Sequence, residues 1–193
     1  MKKISTLFEK DPNDLSRVIN SIDSDNSWAL TEGIPTRKFD GTSCAVINGE
    51  LYKRYDAKKG KTAPEGAIPC QEADPITGHH PHWVKCTEQD KWHWEAFYNS
   101  PLSSDKTMPD GTYELCGPKV NGNPEHFASH VLVPHGIHVL HELDILMTVY
   151  DTPELLFAGL KSYLQEADIE GIVFHHKDGR MCKIRKCDFG IKR

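Results

Sequence analysis

The chain has 193 residues, 38% of them hydrophobic, enough for one compact domain with a real core. No apolar run approaches the roughly 20 residues of a membrane-spanning helix, which excludes a helical membrane protein. Formal net charge is -5, yet residues 53–61 and 177–193 hold 12 of the 23 cationic side chains, leaving 11 against 25 acids elsewhere. Two basic strips on an acidic body point to a local anion site, such as phosphate, and not to a generally adhesive surface.

The first residues begin like a secretory leader, but Glu9, Lys10 and Asp11 break the apolar stretch, so a cytoplasmic protein is expected. Six cysteines with no CxxC pair read as reduced thiols. His79, His80 and His82 near Cys86 lack a second ligand pair at finger spacing, so a polar His-rich loop is expected there in place of zinc.

In chain order, Leu15, Val18, Ile19 and Ile22 fall at helical spacing and predict a short helix over 11–23. Trp28-Ala29-Leu30-Thr31 predicts a strand, followed by a bend at Gly33-Ile34-Pro35. Asn48-Gly49 between two apolar runs predicts a two-residue hairpin in which Ile47 faces Glu50 and Cys44 faces Lys53, returning Arg54 toward Lys38–Gly41. Residues 62–110, rich in Pro, Gly, His and Trp, read as a long irregular insertion pinned by Trp92-His93-Trp94. Strands follow at 112–115 and within 130–140, and Thr152-Pro153 opens a helix whose apolar face is Leu155, Leu156, Leu160 and Leu164. A second hairpin closes the chain. With Asp178-Gly179 as a two-residue turn, Phe174 faces Lys183, Ile172 faces Arg185, and Glu170 projects with Lys183 and Arg185; a slip of one residue is the alternative.

Singly these features are ordinary; their combination and order are not. Lys38-Phe39-Asp40-Gly41, Tyr113-Glu114-Leu115-Cys116-Gly117, Glu170-Gly171-Ile172-Val173-Phe174 and Lys183-Ile184-Arg185-Lys186 resemble four ordered motifs of the covalent nucleotidyltransferases, the DNA and RNA ligases and mRNA capping enzymes. The longer stretches 35–42, 52–61, 111–125 and 130–136 resemble the small 5′-to-3′ RNA ligases with bacterial, viral and animal members.

The resemblance implies an α+β adenylation domain of antiparallel sheets flanked by helices, spanning 1–193 as a single unit, with ATP in a cleft and no OB-fold. It implies a monomer that joins RNA 5′-phosphate and 3′-hydroxyl ends using ATP and Mg²⁺ or Mn²⁺. Lys38 is then the nucleophile that takes AMP, and since an ordinary lysine is protonated at neutral pH, nearby cations must disfavour its charged form. Lys183 contacts the α-phosphate, with Arg185 or Lys186 as helper. Glu170 holds the metal, and Asp40 orients Lys38, binds metal-bound water, or merely forms the turn. Glu114 meets the ribose hydroxyls, and Arg54 the ribose or the RNA 5′-phosphate. Thr36 and Arg37 offer backbone to adenine, with His135, His138 or Phe127 as stacking candidates. Lys58, Lys59 and Lys119 join Arg54 in holding RNA. The alternatives are a DNA ligase or capping enzyme, an inactive RNA-end-binding protein, and a His-rich metal-binding protein.

Overall fold

The structure is a computed structural model that describes residues 4–75, 77–103, 107–143 and 152–193. It is mixed α and β, with sheets that are antiparallel except for one short parallel pairing. The chain divides into two compact units, residues 40–135 and residues 4–39 with 136–193.

The 40–135 unit is a six-stranded sheet. Its strands are β5 (Thr42–Ile47), β6 (Glu50–Ala57), β7 (Ile68–Pro69), β8 (His80–Lys85), β9 (Gly111–Cys116) and β10 (Val131–Pro134), in the order β10-β9-β5-β6-β8-β7. The first hairpin has the expected register, Ile47 opposite Glu50 and Cys44 opposite Lys53. Asn48 and Gly49 both take positive φ, as the tight turn requires, and Asp110 accepts both their N–H groups at 2.7 and 2.9 Å. One sheet face, with Cys44, Val46, Leu51, Tyr113 and Leu115, packs against Ala96 and Phe97 of the helix Lys91–Asn99.

The 62–110 stretch is therefore more regular than its composition suggests. Pro81 and two histidines disguise β8, which pairs along its whole length with β6. Trp94 donates its Nε1–H to the Thr87 carbonyl at 2.9 Å, and Trp92 stacks on the buried His130 with ring centroids 4.6 Å apart. Residues 76 and 104–106 lie outside the described part of this stretch.

The other unit carries a four-stranded sheet and a two-stranded one. Its strands are β1 (Ser5–Thr6), β2 (Phe8–Lys10), β3 (Val18–Ile22), β4 (Ile34–Lys38), β11 (Gly171–His175) and β12 (Met181–Arg185). The order is β1-β12-β11-β4, with β2 and β3 paired separately. The helix Pro153–Glu166 begins where expected, Thr152 capping the Leu155 N–H, and buries Leu156, Leu160 and Leu164 while leaving Leu155 exposed. These leucines join Phe8, Trp28, Ile172, Phe174 and Ile184 in one core.

Two expectations fail here for local reasons. The helix over 11–23 is instead a turn followed by strand β3, because Asp11 and Asp14 turn their carboxylates onto the N–H groups of Asn13 and Ser16. The β-branched Val18, Ile19 and Ile22 suit the strand, and Leu15 is left exposed. Trp28–Leu30 is not a strand but the end of a 3₁₀ helix, Ser24–Leu30, opened by the Asp23 carboxylate on the Asp25 N–H.

Candidate active site

The second hairpin sets the geometry, and its register differs by one residue from the two-residue-turn expectation. Lys177, Asp178 and Gly179 form a three-residue loop closed by His176 N–H to the Arg180 carbonyl, with Gly179 at φ 90°. Val173 then faces Lys183 and Gly171 faces Arg185. The slip pairs Ile172 with Ile184 and Phe174 with Cys182, so apolar residues share the core face.

On its other edge β11 pairs with β4, Gly171 facing Lys38 and Val173 facing Thr36. Residues directly opposite in a sheet project to the same side. Lys38, Gly171 and Arg185 thus form one row, and Thr36, Val173 and Lys183 the next, all on the face opposite Ile172 and Ile184. Two strand spacings separate the backbones of Lys38 and Arg185, about 10 Å.

Gly171 keeps the middle of the first row open. A Cβ there would meet the Ile184 carbonyl and lie 2.8 Å from Arg185 Cα and 3.0 Å from its Cγ. Gly171→Ala is expected to destabilise the fold by about 1–3 kcal/mol, read by chemical denaturation, and to displace Arg185.

One cation on this face, Lys183, is held at an electrostatic cost. Burial first, then the charges of Arg185 and Lys38, pushes the Lys183 ammonium down to about 8. Lys38 forms an ion pair with Glu170, the acid that the resemblance assigns to the metal. The reason is the register: Glu170 directly precedes Gly171, the residue across from Lys38. Arg185 is held by Asp188, Nη2 donating to Oδ1 at 3.0 Å and Nε to Oδ2 at 3.2 Å. Arg185, two residues from Lys183 on the same strand, shares its face of the sheet. Lys186 begins the 3₁₀ turn Lys186–Phe189, is buried, and gives its N–H to the Glu170 carbonyl at 3.0 Å.

Thr36 is buried and donates its hydroxyl to the Val173 carbonyl at 3.1 Å. Arg37 projects to the other face, its guanidinium 4.8 Å from the Phe39 ring centre and bonded to the Asp168 carbonyl. Its backbone N–H is taken by the His138 carbonyl at 2.8 Å, so that edge of β4 is already committed. The His138 ring packs edge-on against Phe39.

In the 40–135 unit, Glu114 is buried and lies opposite Ser43 and the buried Val133. His135 holds it, Nε2 to Oε2 at 2.9 Å, while the other ring nitrogen meets the Thr112 hydroxyl at 3.0 Å. Arg54 donates Nε–H to Asp56 at 2.9 Å and sits 5.5 Å from the ring centre of Trp83, its cross-strand partner. The Asp40 N–H donates to Glu125, and its carboxylate accepts from Asn121 at 2.9 Å. Phe127 gives its N–H to the Asn123 side chain. Lys58, Lys59 and Lys119 are exposed, Lys119 with its N–H on His130 Nε2. Sequence reading missed Asp188, Asn121 and Glu125, and weighed His135 only as a stacking ring; the Asn-Gly-Asn-Pro-Glu run at 121–125 was the available signal for the loop.

Among the described residues no three His, Cys, Asp or Glu side chains form a metal-binding group. Structural zinc takes four protein ligands, whereas Mg²⁺ asks for only one or two carboxylates beside water and phosphate. Glu170, four-fifths buried and paired with Lys38, is a single carboxylate that fits that lighter demand.

The sequence model of the family described as RNA ligase 1 matches residues 99–193, the part that holds Glu114, Glu170, Lys183 and Arg185. The chain resembles RNA ligase 1. The RNA ligase 1 of Pongo abelii is 27% identical over 84% of this chain and 69% of its own length, and that of Mus musculus is 27% identical over 82% and 67%. The RNA ligase 1 of Danio rerio is 37% identical over 44% of this chain and 26% of its own length. Among the described residues no helix is long and apolar enough to cross a membrane.

Proposed function

We propose that the chain is an ATP-dependent RNA ligase, built on a nucleotidyltransferase fold, that joins RNA 5′-phosphate and 3′-hydroxyl ends. The observation that supports this reading most strongly is the double row on one sheet face, in which Lys38, Arg185 and Lys183 surround the side-chain-free Gly171. Three cations gathered where burial already penalises one of them call for a polyanion.

In this reading the Lys38 Nζ, its proton given up to solvent and its ion pair with Glu170 released, attacks the α-phosphorus of ATP. The P–N bond forms as the bond to pyrophosphate breaks. Lys183 and Arg185 neutralise the charge that builds on the phosphate oxygens, work that phosphoryl transfer depends on more than on covalent help. The AMP passes to an RNA 5′-phosphate, and the 3′-hydroxyl of the other end displaces it. Glu170 would hold Mg²⁺ or Mn²⁺, exchanging its ion pair with Lys38 for the metal. Such an ion supplies further charge neutralisation on the triphosphate. Glu114, oriented by His135, is assigned to the ribose hydroxyls; Asp40 keeps its proposed part beside the nucleophile, and Arg54, Lys58, Lys59 and Lys119 are assigned to RNA.

Incubation with ATP and Mg²⁺ followed by intact-mass measurement tests the reading. The expected result is a gain of one AMP per chain, discharged on adding 5′-phosphorylated RNA. No gain with ATP, or a gain only with GTP, overturns it.

A further inference from the structure

Asp188 lies three residues beyond Arg185 and is completely buried. Its two oxygens receive four donors. Oδ2 takes the Arg185 backbone N–H at 2.9 Å and its Nε–H at 3.2 Å. Oδ1 takes Arg185 Nη2 at 3.0 Å and Lys10 Nζ, from β2, at 2.7 Å. Burial alone would push this carboxyl up; the hydrogen bonds from Arg185 and Lys10 outweigh it and hold the group below its ordinary range. A carboxylate so fully removed from water needs such pairing to be tolerated.

The local chain is shaped for the purpose. Directly after β12 the backbone turns through Lys186–Phe189 and closes on Gly190 at φ 80°, which brings Asp188 back onto the last strand residue. The grip on the guanidinium is side-on, through Nε and Nη2, and Nη1 takes no part in it. A long flexible side chain is thereby fixed in one rotamer on the Lys38–Lys183 face, and the planar fork makes that fixation directional in a way an ammonium could not match. Lys10 balances the second half of the carboxylate charge, so the grip adds no net negative charge to a face proposed to bind phosphate.

We propose that Asp188 is a positioning residue for adenylation: it presents Arg185 to the nucleotide phosphates, with Lys10 as its counter-charge. The inference rests on the reading of Arg185 as a phosphate contact.

The test is a double-mutant cycle of Asp188→Asn and Arg185→Ala in the full chain, scored by AMP attachment across an ATP titration. Asp188→Asn is expected to lower kcat/KM about 10–100-fold, the scale of a small misplacement, mainly through a higher KM for ATP. In the Arg185→Ala background the same change is expected to add nothing. An equal further loss in that background means a merely structural role and overturns the inference, as does an unchanged ATP titration for Asp188→Asn alone. Where Asp188→Asn does not fold, the charge-balanced pair Asp188→Asn with Lys10→Met takes its place in the cycle. Normal labelling by Arg185→Ala removes the phosphate role of Arg185 and this inference with it, while leaving the ligase reading intact. A wild-type chain that takes no AMP refutes both.

Discussion

Lys38→Ala is expected to take covalent AMP attachment from the proposed one per chain to none detectable by intact mass, and Lys38→Arg is expected to do the same. The two variants separate charge from nucleophilicity. A guanidinium keeps the ion pair with Glu170 but does not shed its proton in a protein, so it has no lone pair to offer phosphorus. The methyl of alanine removes both. Neither change reaches the core, because Lys38 ends β4 on the face opposite Ile172 and Ile184, so both variants are expected to melt cooperatively near the wild type. Later chemistry is expected to survive: an RNA end supplied already carrying its 5′-adenylate needs no amine, only the groups that hold the phosphate. Sealing of that substrate by Lys38→Ala, with no sealing of plain 5′-phosphate ends, is the expected pattern. AMP found on Lys38→Ala would remove Lys38 as nucleophile.

What could be read from residues alone, and what could not, divides by the range of the interaction that decides it. Asn48-Gly49 sets its own turn, so the first hairpin and its register follow from a few consecutive residues. Asp178-Gly179 belongs to a loop whose length depends on His176, which bonds back to Arg180 and to the Asp178 N–H, and the register moved by one. Strand β3 hid behind helical spacing because pairing with β2, not periodicity, decides it. Strand β8 hid behind a proline and two histidines because its backbone partner lies 27 residues away at Tyr55–His82. At the candidate site the same rule holds. Lys38, Glu170, Lys183 and Arg185 stand in short recognisable strings, whereas the ion pair between Lys38 and Glu170 spans 132 positions and follows only from the β4–β11 register. Asp188 sits close to Arg185 in sequence, yet its importance comes from complete burial and from Lys10, 178 positions away.

Lys183→Met is expected to abolish AMP attachment while making the free protein more stable at neutral pH. Folding draws the Lys183 ammonium out of water and toward Arg185 and Lys38, so its pKa drops to about 8 from about 10.4 in the unfolded chain. The folded state therefore binds this proton less tightly than the unfolded state does. Between those two values the unfolded chain holds more protons, and wild-type stability from this group rises with pH; below about 8 the full penalty of keeping the group charged is present. Methionine preserves most of the aliphatic stem and removes the charge. The variant is expected to exceed the wild type by on the order of 2 kcal/mol at pH 7, and the gap is expected to narrow as pH rises from 8 toward 10. Denaturant unfolding of both chains across that range checks the sign. A variant less stable than the wild type at pH 7 would mean that Glu170 and Asp188 compensate Lys183 more than its neighbours repel it. A gain in stability joined to a loss of AMP attachment would trace to a single physical source, a half-buried cation held against its own solvation and placed to meet the proposed phosphate.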